Sequence, residues 1–262
     1  MIANYHTHTY RCHHATGTEQ GYIDAAIAGG IRYLGFSDHA PFICPCGKES
    51  AHRIYMEDRF LYVEHIRRLR EKYRDKIDIK IGFEMEYYPD CFKEMLSIAR
   101  DCGAEYVILG EHALDSNDGI WSATASDSEE KLDKYIDLVC EGMKTGAFSY
   151  LAHPDVINFT GSREVYLKKM RKICETSKET GIPLELNFWG IHENKHYPTH
   201  DFWKMAGEMG CDVVYGCDAH KRSAVYDREL LAKAEKIKEE CGLNVVEVPK
   251  IIDIQKIDIS KI

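Results

Sequence analysis

The sequence predicts an α/β fold, a barrel of parallel strands carrying its chemistry at the strands' C-terminal ends. Three observations predict it. Short apolar runs alternate along the chain with longer stretches of helical period. Six separate segments place His, Asp or Glu just after such a run. In a parallel barrel the C-terminal strand ends converge on one face, so residues scattered from His6 to His220 would meet there.

The elements follow in order. The chain opens on an apolar-leaning start that runs into Tyr5-His6-Thr7-His8. Strand side chains alternate with period two, so an H-x-H pair projects both imidazoles to one face, where they can share a divalent cation. Cys12-His13-His14 comes next. Residues 19–29 read as a helix with Ala25, Ala26 and Ile27 on its apolar side and Gly29-Gly30 as its stop. A strand over 31–36 ends at Ser37-Asp38-His39-Ala40. The stretch 41–52 is loop-like, centred on Cys44-Pro45-Cys46-Gly47, and lies where it can cover the mouth of a site. Residues 57–73 form a long helix with Phe60, Val63, Ile66, Leu69 and Tyr73 at helical spacing. The alternating run 77–81 leads to Gly82-Phe83-Glu84-Met85-Glu86, the run 106–109 to Glu111-His112, 149–152 to His153-Pro154-Asp155, and 213–216 to Asp218-Ala219-His220. Helices are predicted over 93–102, 129–145 and 164–180, each followed by a glycine before the next strand, a C-cap signature. A strand candidate at 181–187, a helix at 199–209 and a charged helix at 227–241 complete about seven β/α units, one short of an eightfold barrel.

Composition narrows the classes. At 262 residues with 44% hydrophobic and 29% charged residues, the chain suits one globular domain with a sizeable core, and no linker, low-complexity tract or short repeat divides it. No apolar stretch approaches the roughly 20 residues that span a bilayer, and the opening residues lack a signal-peptide core, so no membrane partner and a cytoplasmic location are expected. A net charge of −9 argues against a nucleic-acid partner, which needs clustered Lys and Arg. It leaves room for a small anionic substrate, because bound cations invert the local field. The ten cysteines show no C-x-x-C, and most are expected to be reduced, buried small hydrophobes.

Taken together, His6-Thr-His8-Thr-x-x-Cys12-x-His14, Ser37-Asp38-His39-Ala40-Pro41, Gly82-x-Glu84-x-Glu86-Tyr87, His112, Ala152-His153, Glu185-x-Asn187-x-x-Gly190 and Gly216-Cys217-Asp218-Ala219-His220 resemble the PHP (polymerase and histidinol phosphatase) superfamily of metal-dependent phosphoesterases, and within it the stand-alone histidinol-phosphatase branch. The motifs stand in family order over nearly the whole chain. The resemblance implies a distorted (β/α)7 TIM-like barrel of PHP type, formed by residues 1–262 as a single phosphoesterase domain with its metal site at the C-terminal ends of the strands. It also implies three divalent metal ions per chain. His6, His8, Glu84 and Asp218 would hold the first, Glu84 as a bridge with His112 and His153 the second, and His14, His39 and His220 the third. His13 is the alternative to His14, which the offset from His8 favours.

Imidazoles mixed with only two carboxylates suit Zn²⁺, Mn²⁺ or Fe²⁺ better than Mg²⁺ or Ca²⁺. A carboxylate shared by two such ions holds them about 3.5–4 Å apart, and a hydroxide bridging them is the expected nucleophile on phosphorus. Asp218 and His220 lie nearest the proton traffic, while Asp38 and Glu86 are candidates to orient imidazoles from behind. The small phosphorylated substrate is expected to be L-histidinol phosphate, hydrolysed to histidinol and phosphate in histidine biosynthesis. The alternatives are another small phosphomonoester or nucleotide-derived phosphate, and a catalytically silent metal-binding protein. The nucleotide-directed branch carries Ser-x-x-Ser-Asp-Gly where this chain has Tyr10-Arg11-Cys12-His13-His14, and silent relatives lose ligands that this chain keeps.

Two departures bear on the substrate. Histidinol phosphatases of the family carry an arginine shortly after Asn-x-x-Gly, a clamp for phosphate, and none follows Asn187-Phe188-Trp189-Gly190. Arg163, Lys195, Lys221 or Arg222 are the candidate replacements, with Asn187 and Trp189 as further substrate contacts. Glu111, directly before His112, adds a carboxylate whose role the sequence leaves open. His52, His65, His192, His196 and His200 are expected to be surface or satisfied core residues, Cys12 a packing residue, and Cys44 and Cys46 buried loop thiols.

Overall fold

Eight parallel strands pair in strict chain order in the computed structural model, which describes residues 1–116 and 119–262. They are β1 (Ala3–Asn4), β2 (Tyr33–His39), β3 (Asp78–Met85), β4 (Tyr106–Leu109), β5 (Phe148–Leu151), β6 (Leu184–Asn187), β7 (Asp212–Gly216) and β8 (Asn244–Val245). The connecting helices are α1 (Glu19–Ala28), α2 (Arg59–Tyr73), α3 (Phe92–Asp101), α4 (Glu129–Lys144), α5 (Arg163–Thr180), α6 (Phe188–His192), α7 (His200–Glu208) and α8 (Arg228–Cys241). The barrel closes between its first and seventh strands. Thr7, beyond β1, bridges in parallel to Ala219, beyond β7, with His8 N–H donating to the Ala219 carbonyl at 3.0 Å. The two-residue β8 hangs on the start of β7, outside that seam. The sevenfold count therefore describes the closed ring, and β8 and α6 are additions that the sequence pattern did not suggest.

Period-two alternation builds two packing layers. Tyr106 and Ile108 of β4, with Tyr5, Tyr150, Ala152 and Val214, fill the barrel interior, while Val107 and Leu109 face outward into the larger core beneath the helices. The Tyr106 hydroxyl donates to the Tyr5 carbonyl at 2.8 Å, so the plug stays hydrogen-bonded inside. The C-terminal tail seals the other end. Ile254, fully buried, donates its N–H to the Glu105 carbonyl, and Ile252 N–H reaches Ser149 Oγ. With that floor covered, the mouth of the barrel is at the strands' C-terminal ends.

Helix boundaries follow local chemistry. Thr18, Ser128 and Asp227 cap α1, α4 and α8 with side-chain oxygens accepting from backbone N–H groups. Gly103, Gly146 and Gly181 follow α3, α4 and α5 with φ of 91°, 68° and 71°, as the sequence predicts. Two expectations are corrected. Phe60 is 49% exposed, because the buried stripe of α2 runs through Tyr62, Val63, Ile66, Leu69 and Tyr73. Cys44 and Cys46 are joined in a disulfide on an exposed turn rather than buried as thiols, while the other eight cysteines are free. Among the described residues, no helix is long and apolar enough to cross a membrane.

Candidate metal centre

The seam of the barrel is where the ligand atoms gather. His6 and His8 extend β1 between β2 and β7, Glu84 lies near the end of β3, and Asp218 follows β7, and all four are buried. His6 Nε2 lies 3.3 Å from Glu84 Oε2 and 3.5 Å from Asp218 Oδ1; His8 Nε2 lies 3.5 Å and 3.0 Å from the same two atoms. Ligands about 2.0–2.1 Å from a four-coordinate ion stand about 3.3–3.4 Å apart, so these edges match a cation cage. His6 Nε2, His8 Nε2, Glu84 Oε2 and His220 Nε2 are buried and make no hydrogen bond. Orphaned polar atoms that nevertheless converge are the signature of a missing central partner. The residues therefore fit a metal ion.

Glu84 faces two ways. Its Oε2 belongs to the set just described, and its Oε1 lies 3.3 Å from His112 Nε2 and 2.8 Å from His153 Nε2. The two oxygens thus face different histidines: Oε1 faces His112 and His153, and Oε2 faces His6, His8 and also His39, whose Nδ1 lies 3.3 Å away. His220 stacks on His8 at 4.1 Å between ring centroids and stands 4.8 Å from His14, while His39 lies 4.4 Å from His8 and 5.2 Å from His14. His14 rather than His13 turns into this group: His13 is the left-handed C-cap of a 3₁₀ turn and stacks on Tyr55 at 4.2 Å. Cys12 is fully buried and its thiol donates to the Thr9 carbonyl, with Sγ in reach of His14 and His220.

Behind the imidazoles stands a second ring of acceptors. His6 Nδ1 pairs with Glu185 Oε1 at 2.8 Å, His8 Nδ1 with Asp38 Oδ1 at 3.3 Å and His112 Nδ1 with Glu86 Oε1 at 3.3 Å. His14 and His220 use backbone carbonyls of Cys12 and Asp218 in the same way. Each of these contacts leaves the opposite ring nitrogen facing the centre, the arrangement that fixes metal-binding histidines. Glu185, 0% exposed, is a residue that sequence reasoning left without a role, although period-two alternation with Asn187 signals it.

Charge is sorted across the site. Burial pushes the His6 and His8 pKa values down, but the surrounding carboxylates outweigh it and raise both well above the usual imidazole value. Burial likewise opposes ionisation of Glu84 and Asp218, and the imidazoles overcome it, holding both carboxyls well below their usual range. At the outer group the balance reverses. Burial and the neighbouring His8 lower His14, His39 and His220, the last to about 3, which keeps these rings neutral and able to bind a cation.

A cavity of about 190 Å³ opens over the centre, lined by His14, His39, His112, His153, Asp218 and His220 below and by His52, Arg53, Trp121, Trp189 and Tyr197 around its walls. Trp189 stands 4.9 Å from the His220 ring on the cavity wall. His52, expected to be a bystander, lies 5.7 Å from His14 and 5.3 Å from Trp121 at the rim. Asn187 contributes differently: its amide donates to Glu185 Oε2 and Asp218 Oδ2, holding the carboxylates, and its Oδ1 caps α6. The four cation candidates are not brought to the cavity. Arg163 pairs with Asp201 on the surface, Lys195 is exposed, and Lys221 and Arg222 line a separate surface hollow, with Lys221 Nζ 2.7 Å from His192 Nε2. The reason is local: His220 turns into the barrel mouth and the chain leaves it at once through a 3₁₀ turn at Arg222–Ala224. Glu111 turns aside too, accepting from Tyr87 N–H at 3.0 Å, and burial beside Glu86 raises its pKa well above the usual carboxyl value.

The chain resembles known proteins over most of its length. A protein of Deinococcus radiodurans named "Probable histidinol-phosphatase" is 26% identical over 231 residues, 86% of this chain and 88% of its own. The histidinol-phosphatase of Bacillus subtilis is 23% identical over 257 residues, 84% and 94% of the two chains. The crystal structure of histidinol phosphate phosphatase from Lactococcus lactis, complexed with zinc, L-histidinol and phosphate, shares the fold with a TM-score of 0.71 at 20% identity, covering 98% of each chain. Residues 4–188 match the PHP domain, and with the match spanning most of the barrel the chain belongs to the PHP domain family.

Proposed function

We propose that this chain, residues 1–262 acting as a single domain, is a metal-dependent histidinol-phosphatase that converts L-histidinol phosphate and water to L-histidinol and phosphate. The observation that carries the reading is the set of converging ligand atoms around Glu84, among which His6 Nε2, His8 Nε2 and Glu84 Oε2 are buried without a hydrogen bond and stand 3.0–3.5 Å from one another or from Asp218 Oδ1, beneath a cavity sized for a small molecule. The names of the relatives and the zinc, L-histidinol and phosphate bound by the Lactococcus lactis enzyme support the same reaction. Three cations are proposed: one held by His6, His8, Glu84 and Asp218, one by Glu84, His112 and His153, and one by His14, His39 and His220. Zinc, manganese and iron suit these donors.

When bound, such ions acidify water and neutralise phosphate oxygens. The protein supplies the rest. Glu84 fixes the spacing of two ligand sets with one carboxylate, and Glu185, Asp38 and Glu86 hold the imidazole tautomers. Asp218 and His220, which line the cavity, are the groups assigned here to lie nearest the proton that the leaving alkoxide takes up. Trp121 and Trp189 give the walls flat apolar faces that suit the imidazole ring carried by the departing histidinol alkoxide. A second reading keeps the centre and changes the leaving group to another small phosphomonoester, because the segment after Gly190 brings no cation to the cavity.

The test is phosphate release from L-histidinol phosphate beside sugar, nucleotide and aryl phosphates, with enzyme reconstituted separately with Zn²⁺, Mn²⁺ and Fe²⁺. A kcat/KM for histidinol phosphate at least about 10²-fold above every competitor is expected. Comparable slow rates on all substrates would discard the pathway assignment, and no release with any metal would discard the phosphatase.

A further inference from the structure

We infer that Arg53 is the cation that binds the substrate phosphate. The inference rests on the phosphomonoesterase reading above, and its grounds are the placement of charge around the cavity. Among the described residues lining that cavity, Arg53 alone carries a permanent positive charge; the others are histidines, aromatic residues and carboxylates. A phosphomonoester brings up to two negative charges into this space, and a guanidinium is the side chain whose planar donor fork matches phosphate oxygens.

The position is built rather than incidental. Arg53 is 5% exposed, and two of its N–H groups donate to Glu86 at 2.6 and 2.8 Å. The same Glu86 accepts from His112, so the guanidinium plane is set relative to the ligand cluster through one carboxylate. The next residue, Ile54, is fully packed and donates its N–H to the carbonyl of His39, which ties the end of the loop to the centre. Arg53 also lines a second cavity of about 140 Å³ beneath the disulfide turn, so it forms the partition between that space and the metal cavity. A buried Arg–carboxylate pair costs desolvation that an apolar pair of similar volume would not, and holding a loop in place does not require it. Presenting a fixed positive charge to an anion does.

The competing role is purely structural, in which Arg53 serves only to hold Glu86 and, through it, His112. Titrating inorganic phosphate into metal-loaded wild type, Arg53→Met and Arg53→Lys by calorimetry, with metal content measured on the same samples, separates the two. Arg53→Met is expected to retain its metal and to bind phosphate at least about tenfold more weakly, the loss of a charge-assisted hydrogen bond. Arg53→Lys, which keeps the counter-charge on Glu86 but not the fork, is expected to recover part of that affinity. A smaller loss in Arg53→Met at equal metal content overturns the inference. If Arg53→Met sheds metal, Arg53→Lys carries the test, and phosphate affinity within twofold of wild type overturns it. Loss of metal from both variants assigns Arg53 to holding the centre together and also overturns it. Wild type that binds phosphate but releases none from any phosphomonoester sinks the reaction reading while leaving this one standing on the binding result.

Discussion

Gly110 lies against the carboxylate of Glu84 and Gly216 against that of Glu185, which pairs with His6. A Cβ at Gly110 would overlap the Glu84 carboxylate, and one at Gly216 would overlap that of Glu185, so each glycine is required by the close approach of a functional side chain. Gly110→Ala is expected to fold and to lose metal, with kcat/KM falling at least about 10²-fold; metal analysis of the purified variant checks it. Glu185→Gln removes the negative partner of His6 while keeping its shape, and a drop of about 10–100-fold in metal affinity is expected from competition with a chelator. Two of the proposed ligand residues also sit in unusual backbone conformations. His153 has φ 29° and Asp218 φ 48°, in the left-handed region that costs a side chain energy and persists where its surroundings demand it.

At the scale of elements, the loop 41–56 and strand β3 are joined by Arg53 and Glu86. Burial pushes the Glu86 carboxyl up, the guanidinium and His112 outweigh that, and its pKa is held at about 2 against an ordinary 4.5. A depressed acid stabilises the folded state above its unfolded pKa and loses that contribution as pH falls through the folded value. The contribution, on the order of 3 kcal/mol at neutral pH, should therefore fade between about pH 4.5 and pH 2. Urea unfolding of metal-free wild type and Glu86→Gln checks it: the wild-type advantage at pH 7 should shrink by pH 3. Elsewhere on the surface, Arg163 is exposed, pairs with Asp201 and does not line the metal cavity. Arg163→Ala is expected to leave kcat/KM within about twofold, since exposed pairs contribute little; a tenfold loss would return Arg163 to the substrate.

For the whole molecule, what was legible in the sequence was whatever repeats with a period. The H-x-H pair, the acids and histidines at strand ends, and the glycines after α3, α4 and α5 all follow from alternation or helix length, and they locate the centre before any coordinates. Arg53 does not. It sits in an aperiodic loop, and its place is set by a bond to Glu86, 33 residues away. Phe60 escapes the sequence pattern because the apolar spacing of α2 admits two neighbouring stripes at its first turn, and only packing selects one. The seam of the barrel holds a further consequence. Cys217 N–H donates to Asn4 Oδ1 across 213 residues, beside ligand atoms contributed by both ends of the chain. The cation proposed on His6, His8 and Asp218 would thus close a reversible link around nearly the entire polypeptide, one that only the folded barrel can form, so its binding would stabilise the folded state by mass action. Chelation should accordingly lower the melting temperature. It should also expose the His8 amide to hydrogen exchange before those of the helices, so that this barrel comes apart along the line where its first and last thirds are pinned.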